Sequence, residues 1–158
     1  MLKIRKPKPP EFDLMTTLRN QHREWFGDAE PVDLEPGRQW LAARTTEDAL
    51  FAVCWNDHVI GTIGWRDLDD HSSEMGRIIV DRELRHYHGA HGDVAAFAFR
   101  WAMDEITRRG RAVFVSVKPN NCACLSLCIR TGLVPATHRA LPQSFVTWTL
   151  DQTQRLAA

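Results

Sequence analysis

The sequence has no excess of either charge, no long apolar run and no repeat, and each absence closes off a class of function. Twenty basic residues face twenty acidic ones, a formal net charge of +0. Such a chain has no global positive field to hold nucleic acid or an anionic membrane surface. No apolar stretch approaches the ~20 residues needed to cross a bilayer. The opening segment, MLKIRKPKPPEF, lacks the apolar stretch of a signal peptide. A cytoplasmic protein is expected, with neither nucleic acid nor membrane as partner. Its four cysteines, Cys54, Cys122, Cys124 and Cys128, are then expected as thiols. No linker divides the chain, so residues 1–158 are expected as one domain, long enough to bury ~70% of the unfolded surface.

What is present alternates between two periods. LKIRK is a short strand candidate closed by PKPP. Pro10 can open a helix over EFDLMTTLRNQHREWF, where Phe12, Met15, Leu18 and Trp25 recur at roughly helical spacing. GDAEPVDLEPG reads as loop and RQWLAARTT as a second short helix. ALFAVCWNDHVIGTIGWRDLDD is two β runs around the hairpin signal NDH, and SEMGRIIVD is a third run. DVAAFAFRWAMDEITRRG predicts a long helix with Val94, Phe97, Ala98, Trp101 and Ile106 on one side and Gly110 as its stop. RAVFVSVKP is the nearly all-apolar pattern of a strand buried on both faces. NNCACLSLCIRTG is a helix ending at Gly132, and SFVTWTL a last strand. The order β-α-α-β-β-β-α-β-α-β predicts an α/β domain with a mixed, largely antiparallel central sheet flanked by helices.

The segment VDRELRHYHGAHG joins the third of the central strands to the long helix. A strand, a glycine-bearing loop and a helix N-terminus make anion-binding architecture, because the first helical N–H groups lack partners and the helix dipole adds positive charge there. A phosphate cradle and a plain turn both remain open on this ground alone. A metal site would draw on His86, His88 and His91, with His58 and His71 elsewhere. No cysteine pair or carboxylate is placed to complete a tetrahedral set, so no metal is expected. Cys122, Cys124 and Cys128 read as packing residues of an amphipathic helix.

Two motifs then resemble those of the GNAT superfamily, the acyl-CoA-dependent N-acyltransferases. The family's loop Arg/Gln-x-x-Gly-x-Gly/Ala follows a strand-ending valine by five residues. Here Val80 is followed by Arg85-His86-Tyr87-His88-Gly89-Ala90; Arg85 and Ala90 fall on pattern, and His88 stands where the family prefers glycine. The family's Asn-x-x-Ala-x-x-Leu-Tyr-x-x-x-Gly-Phe is matched by Asn121 through Leu133, with Asn121, Leu127 and Gly132 on pattern. Cys124 replaces its alanine, Cys128 its tyrosine and Leu133 its phenylalanine. The central hairpin and the order of elements agree along most of the chain.

The resemblance implies a single-domain GNAT-like fold whose central strands splay apart. It also implies acetyl-CoA or another acyl-CoA as cofactor. The pantetheine arm would lie along Ile78, Ile79 and Val80, and the pyrophosphate on Arg85, His86, Tyr87, His88, Gly89, Ala90 and His91, with Asn121 beside it. Glu74 matches the position of the family's general base, and strict alternation would put Glu74, Gly76, Ile78 and Val80 on one face. Asp67, Asp69, Asp70 and His71 stay open as alternates, as does a base acting through water. The acid that protonates the leaving thiolate falls to Cys128, Ser126 or water. The only tyrosine, Tyr87, lies in the loop. The acceptor, a small-molecule or peptide amine, would meet Arg19, Asn20, Arg23, Trp25, Phe26, Trp40 and Trp65; a homodimer is allowed. A non-catalytic acyl-CoA-binding module and a metal-dependent hydrolase built on the histidine loop are the competing readings.

Overall fold

Asn56 and Asp57, the turn of the hairpin signal, both take positive φ (46° and 70°), the backbone that a two-residue hairpin demands and that Asn and Asp tolerate best. They join β2 (Asp48–Trp55) to β3 (His58–Asp69), and a second tight turn leads into β4 (Ser72–Val80). The computed structural model describes residues 1–81, 93–136 and 145–150. Before the hairpin come β1 (Leu2–Arg5), α1 (Phe12–Gln21) and α2 (Leu34–Ala42); after it come α3 (Val94–Arg108), β5 (Ala112–Val117), α4 (Cys122–Arg130), β6 (Leu133–Pro135) and β7 (Val146–Leu150). The strands form one seven-stranded sheet in the order β1-β2-β3-β4-β5-β7-β6. Every neighbouring pair is antiparallel except β4 and β5, which the α3 crossover makes parallel. Among the described residues, no helix is long and apolar enough to cross a membrane.

The mixed, mostly antiparallel sheet is as expected, with three differences of detail. β6 was not foreseen; three residues, two of them exposed, carry no alternation to read. Helix α2 begins at Leu34 rather than Arg38, because Pro36 sits in its first turn, where the missing N–H costs nothing. Gly37 belongs inside that helix for a packing reason: a Cβ there would lie 2.4 Å from Thr16 Oγ1 on α1. The third difference is the roll of α3. Its buried face is Val94, Ala98, Phe99, Ala102, Met103 and Ile106, while Phe97 and Trp101 are half-buried. The helix carries large apolar residues on adjoining sides, so periodicity alone did not choose between them. Asp93 caps α3 by accepting from the Ala95 and Ala96 N–H groups at 2.9 and 3.3 Å and pairs with Arg130 at 2.6 Å.

The sheet has two differently covered faces. Met75, Val80, Val113, Val115 and Val117 point to the α3 side and join Phe99 in the main core. Leu50, Ala52 and Cys54 point the other way, against Phe12 and Met15 of α1 and Leu41 of α2. Because cross-strand partners share a face, the registers Leu50↔Gly64, Arg66↔Glu74 and Glu74↔Phe114 place Glu74 on the α1/α2 side.

Candidate functional site

β4 and β5 part company in the middle of the sheet. They pair only through Ser72↔Ala112, Ser73↔Val113 and Glu74↔Phe114. Beyond that rung β5 continues along β7, from Phe114↔Thr149 to Val117↔Val146, while β4 continues along β3 to Val80↔Gly61. The expected splay is therefore present, and Glu74 stands on its last shared rung. Two residues on, a Cβ at Gly76 would meet no described residue within 4 Å.

A bulge in β4 shapes the gap. Pairing skips from Gly64↔Gly76 to Thr62↔Ile79, so Arg77 and Ile78 together oppose Ile63. Arg77 has φ +56°, the left-handed region that costs a non-glycine residue ~1–3 kcal/mol. A bulge bends its strand and breaks the two-residue alternation. The grouping of Glu74, Gly76, Ile78 and Val80 on one face is corrected accordingly. Glu74 and Gly76 share the α1/α2 side with Ile79, the partner of Thr62, whereas Ile78 packs against the main core and Val80 belongs to it. Alternation fails here because one extra residue is inserted, and a local insertion leaves no trace in a composition pattern.

The Glu74 carboxylate accepts a hydrogen bond from Arg66 at 2.9 Å and keeps 27% of its side-chain surface, beside an Arg66 that is 58% exposed. The alternates are placed otherwise. Asp67 is bound by Arg109 at 3.1 and 2.6 Å and by the Ser73 hydroxyl at 2.6 Å. Burial alone would raise its pKa, but these donors hold the carboxyl below the usual range. Asp69 accepts from the His71 N–H and the Ser72 hydroxyl in the turn before β4. Asp70 and His71 belong to that same turn, on the closed side of the gap.

On α4, the Asn121 oxygen accepts from the Cys124 N–H at 3.1 Å, so this side chain caps the helix. Cys128 is wholly buried in the main core and Ser126 lies on the exposed side of the helix. Hydrogen bonding to Cys124, and then burial, push the Cys128 thiol well above the ordinary thiol range; the same contact lowers Cys124. A thiol so firmly protonated is a poorer acid than the thiol it would have to regenerate. The acid roles of Cys128 and Ser126 thus find no support in their surroundings among the described residues. The sequence could not show this, since a helix-pattern position does not report depth.

The acceptor candidates divide. Arg19, Asn20, Arg23, Trp25 and Phe26 gather at the end of α1 and the loop after it. Arg19 donates to the Asp28 carbonyl at 2.7 Å with its guanidinium 5.7 Å from the Phe26 ring centre. Asn20 bonds both the N–H and the carbonyl of Val32, at 2.9 and 2.8 Å. Lys118, just past β5, donates to the Glu24 carbonyl at 2.7 Å and brings this loop to the β5 side of the gap. Trp65 is corrected: it is buried on the α3 side, with Phe51 at 4.9 Å and Trp101 at 6.1 Å, and donates to the Thr46 carbonyl at 3.0 Å. It is a core residue, as large apolar side chains usually are. Trp40 on α2 is 40% exposed and flanked by Arg44 and Arg77.

One buried hydroxyl on this face has no partner among the described residues. Thr147 pairs with Ser116 across β5 and β7, on the Glu74 side, and its buried hydroxyl makes no hydrogen bond among the described residues. An unpaired buried hydroxyl costs ~1–3 kcal/mol, and valine suits a strand. Thr147→Val is therefore expected to raise the melting temperature by ~2–4 °C per kcal/mol recovered. Calorimetry checks it; a fall would mean that the hydroxyl is satisfied in solution.

Arg85, His86, Tyr87, His88, Gly89, Ala90 and His91 lie outside the described residues. Among the described residues no three His, Cys, Asp or Glu side chains come together as a metal site.

No family model matches the chain, and no curated protein matches it. Solved structures do. The ribosomal-protein-alanine N-acetyltransferase of Brucella melitensis superposes with a TM-score of 0.73 at 16% identity, covering 93% of this chain and 96% of that one. The Salmonella typhimurium protein yncA, solved with its cofactor acetyl-CoA, gives 0.70 at 15% identity, with 94% and 91% covered. An acetyltransferase of the GNAT family from Streptococcus pneumoniae gives 0.66 at 15% identity, with 94% and 96% covered. The chain has the fold of GNAT-family acetyltransferases, end to end on both sides of the comparison.

Proposed function

We propose that the protein is an acyl-CoA-dependent N-acyltransferase that moves an acetyl or similar group onto a primary amine by direct attack, both substrates being bound together. One observation carries this reading: β4 and β5 splay immediately beyond a half-buried carboxylate, Glu74. The gap fits an extended thioester arm, since strand backbone past the last shared rung is not paired across it. An acyl-CoA bound there would supply the activated carbonyl.

The chain's own residues supply the rest. Glu74 accepts the proton of the incoming amine, directly or through water, while Arg66 holds the carboxylate in place. A backbone N–H of the bulge near Ile78 is the candidate donor to the acyl oxygen as it gains negative charge. The amine enters from the α1/α2 side, where the loop carrying Trp25 and Phe26 lies near the β5 side of the gap. A small-molecule amine such as an amino sugar, or a protein N-terminus, fits this reading; the Brucella neighbour's name points to the second. A second reading, a GNAT-fold module that binds acyl-CoA without turnover, is favoured by the burial of Cys128 at the tyrosine position.

Calorimetric titration with CoA, acetyl-CoA and zinc, followed by an assay for CoA release across amines, separates the possibilities. Acetyl-CoA is expected to bind, to stabilise the protein by ~2.7 kcal/mol at 100 times its Kd, and to release CoA when an amine is added. Binding without release under any amine would support the module. Zinc binding without CoA binding would support a hydrolase.

A further inference from the structure

An arginine in the left-handed region of a central strand calls for a reason, because glycine, asparagine or aspartate takes that backbone at lower cost. Such a residue persists where its surroundings over-determine it. Around Arg77 they do. The Thr62 hydroxyl donates to its carbonyl at 2.7 Å. Its guanidinium donates to Asp48 Oδ1 at 2.5 Å and lies 5.0 Å from the centre of the Trp40 ring. Asp48 is gripped from the other side by Arg44, whose own guanidinium sits 3.8 Å over the same ring and donates to the Trp40 carbonyl at 2.8 Å. Burial alone would raise the Asp48 pKa, but the two arginines keep it below the usual range, so the anchor stays charged at neutral pH. α2 and the start of β2 thus hold the bulge from the acceptor side.

We infer that Arg77 is a positioning residue: anchored on Asp48 and Trp40, it holds the bend that parts β4 from β5 and so sets the cofactor-facing backbone. This rests on the acyl-transfer reading above, and the experiment keeps the two apart. Arg77→Ala removes the anchor but still disfavours positive φ. Arg77→Gly removes the anchor and adopts positive φ freely. Asp48→Asn weakens the anchor and leaves Arg77 in place.

Arg77→Ala is expected to lose ~10²-fold in kcat, the scale of a misplaced reacting geometry, with weakened acetyl-CoA binding. Arg77→Gly should stay within ~3-fold of wild type in both, because glycine needs no anchor at that backbone angle. Asp48→Asn should shift in the same direction as the alanine variant. Backbone Cα and 15N chemical shifts of residues 76 to 79 give a readout free of activity: wild-type-like in the glycine variant, displaced toward extended values in the alanine variant. Equal impairment of the glycine and alanine variants overturns the inference, as does an alanine variant with wild-type shifts and kinetics. If the wild type neither binds acetyl-CoA nor turns over, the acyl-transfer reading fails, and the chemical shifts still decide whether Arg77 holds the bulge.

Discussion

Glu74→Gln is expected to lower kcat by ~10²–10⁴-fold, the usual contribution of a positioned general base, while acetyl-CoA affinity and melting temperature change little. Glutamine keeps the shape and can still meet Arg66, but it takes no proton. The contrast with stability matters, because Glu74 also makes an ion pair with Arg66, itself 58% exposed. Exposed pairs are worth only ~0–1 kcal/mol, so a purely structural Glu74 would show a small thermal effect and wild-type rates. Steady-state kcat with any accepted amine is the measurement. Wild-type kcat in the variant would remove Glu74 from the mechanism. Asp67 would be a poor replacement, since Arg109 and Ser73 already occupy its oxygens.

Phe99→Ala is expected to cost ~3–5 kcal/mol, the range for truncating a fully buried aromatic. It is among the largest side chains with no solvent exposure and sits where α3 crosses β4 and β5. For a domain of this size the melting temperature should fall by ~2–4 °C per kcal/mol. Phe97→Ala, the same deletion two residues earlier on the half-buried side of α3, should cost clearly less. Thermal unfolding of the two variants side by side tests the roll of the helix. A larger loss at Phe97 would show that α3 presents the other side to the sheet.

Much of the candidate site could be read before any fold was known, though unevenly. The motif order placed Glu74 near the gap, and its backbone neighbours Ile78, Ile79 and Val80 are on the strand that borders it. The bulge and the clamp of Arg77 on Asp48 and Trp40 were not legible. Asp48 and Trp40 each lie more than 25 residues before Arg77 in the chain, and nothing local in GRIIV announces a left-handed arginine. Trp65 misled because an isolated tryptophan looks alike in a pocket and in a core. At Cys128, a match to a motif position says which residue stands there and not how deep it lies.

By itself, the sequence determined the alternation of helix and strand, the hairpin at Asn56-Asp57, the helix stops at Gly110 and Gly132, and with them a mixed sheet crossed by α3. These follow from short-range terms: side-chain period, turn backbone and caps, each complete within a few residues. Tertiary structure alone decided the roll of α3, the face that each residue of β4 presents beyond Arg77, and the depth of Trp65 and Cys128. It also decided the point at which β4 and β5 separate. Each of these depends on which distant surface fills a space first, a competition among packing partners that no single segment carries within itself.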